Sequence, residues 1–533
     1  MSESGAAELV GSNPRPVDEP GRTENVRRVL AGIFDVADPA SAASRSVSLI
    51  VWGLWCALAL LLLFSHEPWR DELQAWGLVR ASSTPLDVIF NLRHEGHPPT
   101  WYLLLWPFTQ TIGSYVGLKV VTFMVGASAT WIVLRAMPVS LWMRTAVVFT
   151  YFPLFEFGAI SRSYSLAWLL TVAALWLANR PGTANWLLAV VLGALAGTTV
   201  LGIPLAIAMA IAIWGGPWFA SRTRGPMNLP WLSLFTVVPA VIVAVTLPAT
   251  GNGPSISMSR LTLSSLWNAS ASTLRAAFPV MESEDAFWGV FVVRNWTTWG
   301  PLLGAALILA ITWSVRRSRT ALTVWLVSTI GYLVMLVVTG VPMSPRLVSP
   351  LWCSAIAAVW FAAVDRRAVP PATRRPLSVV TMASIAFLIG ASLWASSWAV
   401  RVDASIPFTT AAAAAEWIDQ QSGGTDVVIL CAIPAPQCSS VSIRLDVPAY
   451  TTADGEPIEY VKWTPGWGKT LKAESIFGAA AALGRRTGAE VFVVAPTAGY
   501  PRGCEYGLRP PPRAVTEWVL VCRADQLWGP PAS

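Results

Sequence analysis

Residues His66 to Pro99, HEPWRDELQAWGLVRASSTPLDVIFNLRHEGHPP, hold all three histidines of the chain, His66, His94 and His97, together with the adjacent acids Asp71 and Glu72. Only 13% of the residues are charged, so acids, bases and ring nitrogens gathered in one stretch stand out. The stretch follows directly on the first uncharged run of membrane length, Ser46 to Ser65. Ionisable groups at a membrane boundary are costly to desolvate and are usually functional. Carboxylates there can take a proton from a hydroxyl. Imidazoles can bind phosphate, or a divalent cation held by His94 and His97 with Glu95 or Asp71. His94 and His97 sit on a bent loop whose geometry spacing does not fix.

The elements that position these groups are apolar. Hydrophobic residues make up 54% of the chain, Trp occurs 29 times and the mean hydropathy is +0.53. Runs of roughly 20 apolar residues, enough to cross a membrane, recur over most of the first 400 positions. The net charge of +7 comes largely from Arg in short loops between those runs, which is the positive-inside pattern rather than a nucleic-acid surface. Arg far outnumbers Lys, of which there are four, a compositional mark of a GC-rich bacterial genome. The expectation is a multi-pass protein of the plasma membrane that binds lipid and no nucleic acid.

Orientation follows from the same arginines. Residues 1–45 form a polar tail, read as disordered and, through Arg27, Arg28 and Arg45, cytoplasmic. The first run should remain as a helix, so the acid- and His-rich loop, residues 66–114, faces outwards. Trp101 to Gly113 is too short to span and is read as lying in the interface. With that reading about eleven spanning helices fill residues 46–400 and every Arg cluster falls inside. The third helix is expected over Ala146 to Phe157 and the seventh over Leu229 to Leu247.

Beyond Val400 the composition changes. A helix over Ala411 to Gln421, a strand over Asp426 to Cys431, a helix over Ser475 to Arg486 and strands over Glu490 to Val494 and Val515 to Cys522 predict a small α/β domain, residues 401–533, outside the membrane. Cys431, Cys438, Cys504 and Cys522 all lie in it. Four cysteines allow three disulfide pairings, of which Cys431–Cys438 with Cys504–Cys522 is the most local. A zinc site is disfavoured, because no His accompanies them.

The acid pair after the first helix, followed by His97-Pro98-Pro99-Thr100-Trp101-Tyr102, resembles the GT-C superfamily of membrane glycosyltransferases. Within it the pattern is most similar to the branch of bacterial protein mannosyltransferases and aminoarabinose transferases. A third element, FEFGAISRSYSL at Phe155 to Leu166, resembles the E-x-x-x-x-x-R-x-Y segment of some members; where those carry a further acid, this chain has Ser165. The resemblance covers roughly the first 200 residues. It implies a GT-C-like fold and transfer of a hexosyl or pentosyl group from a polyprenyl-phosphate donor to a hydroxyl of a cell-envelope glycan, lipid or protein on the outer face. It also implies sugar or acceptor contacts from Glu156, Tyr164, Trp101 and Tyr102.

Chemistry assigns roles within that reading. Asp71 is the expected base and Glu72 its partner, the two carboxylates raising one another's pKa towards neutrality. A single displacement of this kind inverts the sugar carbon. Arg162 and Arg346, then Lys119 and His97, are the expected contacts of the departing phosphate. No cofactor is required, and a divalent cation is an option. Each residue also has a structural reading. Asp71 and Glu72 could cap a helix N-terminus, Arg162 could pair with Glu156, and Arg346 could anchor a helix at the interface. His94 and His97 could be plain loop residues. Two other classes compete: a transporter or flippase, which internal repeats would favour, and a non-catalytic envelope scaffold whose outer domain offers Trp417, Trp463 and Trp467 to carbohydrate.

Overall fold

The computed structural model describes residues 42–180, 182–215, 231, 241, 256–281, 292–340, 344–370, 379–432, 437–452, 457–462, 473–495 and 519–524. Nearly all of the N-terminal tail, nearly all of Leu229 to Leu247, Cys504, Trp463 and Trp467 lie outside these residues. The chain opens with α1 (Ala42–Ser65), α2 (Arg70–Arg80), α3 (Pro85–Asn91), α4 (Thr100–Thr111), α5 (Val116–Ala136) and α6 (Leu141–Val148). A π-helical segment, Phe152–Glu156, leads to α7 (Ser163–Ala178), α8 (Asn185–Ala196) and α9 (Ile203–Trp214). Next come α10 (Leu263–Ala269), α11 (Ala271–Ala277), α12 (Trp299–Val315), α13 (Arg319–Thr339), α14 (Pro345–Arg367) and α15 (Val379–Ser405).

Among the described residues five helices are long and apolar enough to cross a membrane: α1, α5, α13, α14 and α15. Four shorter apolar helices fall in the stretches containing α7, α8, α9 and α12. Helix α4, over the stretch read as too short to span, has 12 residues. The expected third helix is not continuous. It divides into α6 and the π-helical segment, where the Phe157 amide donates to Phe152 O, five residues back, at 2.8 Å. Pro153 brings no N–H and breaks the regular ladder there, and π segments of this kind gather at functional sites.

Tryptophans tie the helices together. Trp55 on α1 is fully buried and its indole donates to Val148 O at 3.1 Å, while Trp52 donates to Ala127 O at 2.9 Å. An indole N–H in an apolar interior needs such a partner. Gly126 on α5 admits the Trp55 ring, since a Cβ there would lie 2.8 Å from it.

The C-terminal part is a sheet between helices: α16 (Ala411–Ser422), β1 (Val427–Cys431), α17 (Cys438–Leu445), β2 (Ala449–Thr451), β3 (Pro457–Ile458), α18 (Ala473–Thr487), β4 (Glu490–Ala495) and β5 (Leu520–Arg523). The strand order is β3-β2-β1-β4-β5, with β1 parallel to β2 and β4, and β3 and β5 antiparallel edges. Side chains alternate across it as the two-residue period of a strand requires. Ile429, Cys431, Phe492 and Val494 meet α16 and α17, whereas Val428, Leu430, Val491 and Val493 meet α18. Helix α17 and strands β2 and β3 were not foreseen. Cys431 is bonded to Cys438, clipping the end of β1 to the start of α17. Cys522 is also disulfide-bonded, whereas Cys56 and Cys353 are free.

Candidate active site

Four residues separate α1 from α2, and Glu72 makes the start of α2. Its Oε2 accepts the Trp69 amide at 3.1 Å, satisfying a donor that the helix itself leaves open. The same oxygen lies 3.1 Å from His66 Nε2, and Oε1 accepts the Ser161 amide at 2.5 Å. His66 Nδ1 lies 3.0 Å from Asp403 Oδ1 on α15. Burial alone would discharge the ring, yet the Asp403 and Glu72 carboxylates on its two sides push its pKa up to about 10. The imidazolium therefore donates both N–H groups. Burial pulls Glu72 the other way, but His66 and the two amides outweigh it and hold its carboxyl below the ordinary range.

Asp71, the neighbouring residue, faces a different set of groups. Arg346 Nη1 is 2.6 Å from its Oδ2 and Arg162 Nη1 is 3.6 Å from the same oxygen, while Arg70 Nε is 3.5 Å from Oδ1. Arg162 also donates to the Asp71 carbonyl at 2.6 Å. Burial works to raise the Asp71 pKa, and the guanidinium groups of Arg346, Arg162 and Arg70 overcome it, so the carboxyl is held well below the usual range. The expectation that the two acids raise one another is corrected. Successive residues at a helix start diverge, so the carboxylates do not share a site, and each is dominated by cations. About a quarter of the Asp71 side chain, 23%, remains open to solvent.

Three helix starts meet here. Asp71 is in the first turn of α2, Arg162 is the N-cap of α7 and Arg346 follows Pro345 in the first turn of α14. Unpaired amides and helix dipoles make each start attractive to anions. The Arg346 guanidinium also lies 4.9 Å over the Trp69 ring, a favourable cation–π contact.

His97 Nδ1 lies 3.1 Å from Glu95 O. A carbonyl only accepts, so Nδ1 carries the proton. Burial and then the Arg162 guanidinium push the ring pKa down to about 4. His97 is thus neutral near pH 7, with Nε2 as an acceptor rather than a cation for phosphate. Glu95 in turn accepts from the Gln74 amide. Gln74 also donates to Val461 O at 2.6 Å and accepts from Val461 N at 2.8 Å, so the C-terminal part reaches the acid-bearing helix.

The remaining expected residues divide. Lys119 donates to Leu63 O at 2.6 Å and His66 O at 3.0 Å, closing the end of α1. Glu156 is buried and accepts the Tyr151 hydroxyl at 3.1 Å, while Arg162 is committed to Asp71. Tyr102 lies beside His97, ring centroids 6.4 Å apart, and Tyr164 sits two residues beyond Arg162. Trp101 is 1% exposed and belongs to the apolar cluster under α2, so it offers no open face for stacking. The side chain of His94 lies outside the described residues. Among those residues no group of three or more His, Cys, Asp or Glu is placed to hold a metal ion. Of the described acids, Asp71 is ringed by guanidinium groups and Glu72 is held by His66 and two amides. Sequence reading missed Asp403, Gln74 and Arg70, and named Glu95 only as a possible cation ligand. A lone acid near the end of a long apolar helix marked Asp403; nothing marked Gln74.

No family model matches the chain, and no curated protein matches it. Among solved structures it is similar to one titled crystal structure of ArnT from Cupriavidus metallidurans bound to undecaprenyl phosphate. The likeness covers 92% of this chain and 98% of that one, at 12% identity and a TM-score of 0.44.

Proposed function

We propose that the protein is a membrane glycosyltransferase that moves a sugar from a polyprenyl-phosphate donor to an acceptor hydroxyl, with Asp71 as base and Arg346 and Arg162 as the phosphate contacts. The observation that carries this reading is the Asp71 carboxylate interlocked with Arg346 and Arg162 where three helix starts meet. A site with a base and two phosphate-matching guanidiniums suits displacement of a phosphate better than transport, which calls for polar groups at mid-membrane. The outer face of the plasma membrane, a multi-pass chain with residues 1–45 inside and 401–533 outside, and the division at residue 400 belong to the same proposal.

With no donor bound, the carboxylate is masked by its arginines. A lipid phosphate entering the site competes for Arg346 and Arg162, since guanidinium forks match phosphate oxygens. Asp71 is then released, and its pKa returns towards the ordinary value of about 3.9. The acceptor oxygen attacks the anomeric carbon and loses its proton to Asp71. The carbon–oxygen bond to phosphate breaks, the electron pair leaves with the phosphate, and the two guanidiniums meet its charge. The sugar carbon inverts. Neutral His97 offers Nε2 as a hydrogen-bond acceptor to the sugar or acceptor, and Glu72 acts by positioning.

Membranes carrying wild type or Asp71→Asn at equal expression, supplied with radiolabelled polyprenyl-phosphate sugars, test the reading. Wild type should form labelled product and Asp71→Asn should lose at least about a hundredfold in rate. Equal transfer by both removes Asp71 from the mechanism. No transfer from any donor returns the question to lipid flipping or to an envelope scaffold.

A further inference from the structure

His66 is placed where a histidine is expensive. It is 2% exposed, one residue past the first membrane-length helix, and both ring nitrogens face buried carboxylates. A buried charged trio costs several kcal/mol unless paired and hydrogen-bonded throughout. The trio here joins segments 337 residues apart, because Asp403 comes from the far end of α15. The His66 ring also meets Phe408 edge-on at 4.8 Å, and Phe408 meets Trp69 at 6.1 Å. Glu67 and Lys119 lie alongside, Lys119 bonding the His66 carbonyl.

The oxygen of Glu72 that His66 leaves open receives the Ser161 amide. Glu72 is next to Asp71, and Ser161 is next to Arg162. Together with the Arg162 bond to the Asp71 carbonyl, that hydrogen bond sets the spacing between the carboxylate and a guanidinium of the site. Glu72 can hold that bond only while its side chain is fixed, and His66, braced by Asp403, fixes it. We infer that His66 and Asp403 are positioning residues for the transfer reaction, keeping Asp71 and Arg162 in register through Glu72. This rests on the transferase reading above. Neither residue touches the reacting atoms; both act through Glu72.

Full-length protein in membranes tests it, with kcat and donor KM measured for wild type, Asp71→Asn, His66→Ala, Asp403→Asn and Asp403→Glu, each normalised to folded protein by its melting curve. Misplacement of a reacting group by an ångström costs about a hundredfold. His66→Ala and Asp403→Asn should therefore lower kcat about 10- to 100-fold, while donor KM changes by a smaller factor, since Arg162 shifts but Arg346, the tighter phosphate contact, is untouched. Asp403→Glu, which keeps the charge, should recover part of the loss. If His66→Ala does not fold, Asp403→Asn, which keeps the shape, carries the comparison. Variants that melt earlier but turn over at the wild-type rate, or that raise KM alone, overturn the inference and leave the transferase reading standing. A wild type that transfers nothing overturns both.

Discussion

Asp71 and Glu72 are adjacent in sequence and opposite in use. Helix geometry sends one carboxylate inward to His66, the Trp69 amide and the Ser161 amide, and the other to Arg346, Arg162 and Arg70. Of the readings made from the sequence, the helix cap applies to Glu72, while Asp71 meets Arg346, Arg162 and Arg70. Arg346 is the tightest of them. Replacing it by Gln removes a charge-assisted bond of about 1.5–3 kcal/mol, so kcat/KM for donor should fall about 10- to 100-fold; an unchanged value in a steady-state assay would take Arg346 out of the site. His66 gives a second prediction. Its folded pKa of about 10 exceeds the ordinary 6.5, so its contribution to stability is complete below pH 6.5 and is lost as pH rises through 10. The gap in melting temperature between wild type and His66→Ala should accordingly be widest near pH 6 and close towards pH 10. Asp71, Arg162 and Arg346 were legible because charge is scarce in this chain and sits at the ends of apolar runs. Their mutual pairing was not, since residues 71, 162 and 346 meet only in three dimensions.

At the scale of elements, helix starts carry the site and helix ends hold it. Periodicity and length showed α1, α5, α13, α14 and α15, because apolar runs of that size have few other fates. The break at Phe152–Glu156 escaped detection: Pro153 signals an interruption, but not that the ladder resumes with a five-residue step. One arginine among the helix ends is wholly enclosed. Arg144 on α6 is 1% exposed and donates to Leu134 O at the end of α5 at 3.0 Å and to Val139 O in the following turn at 2.8 Å. Helix α2 is pinned on its far side by close approach at Gly77, where a Cβ would lie 2.6 Å from Glu459 O and 2.8 Å from Ile443 Cδ1. Gly77→Val should push α2 and the C-terminal part apart. Faster cleavage near residues 459–462 by added protease, with reduced transfer, is the expected result, and a wild-type digestion pattern would show that the contact is dispensable.

Across the whole molecule, the C-terminal part is bound to the acid-bearing helix rather than hung from α15. Gln74 pairs with both backbone groups of Val461, Arg80 meets Asp446 at 2.8 Å and Arg444 donates to Pro68 O at 2.8 Å. The alternation of helical and short apolar strand segments, with Gly/Pro connections, made its α/β character readable. Its docking was invisible, because one glutamine amide bonding a main chain leaves no pattern in a sequence. In the proposed reaction one exchange is decisive: a lipid phosphate takes Arg346 and Arg162 from Asp71. Equilibrium binding of polyprenyl phosphate, without sugar, to wild type and to Asp71→Ala measures it directly. A partly exposed ion pair is worth about 1 kcal/mol, so removing the competing carboxylate should tighten binding about fivefold in a variant that transfers nothing. Equal or weaker binding by Asp71→Ala would contradict the account.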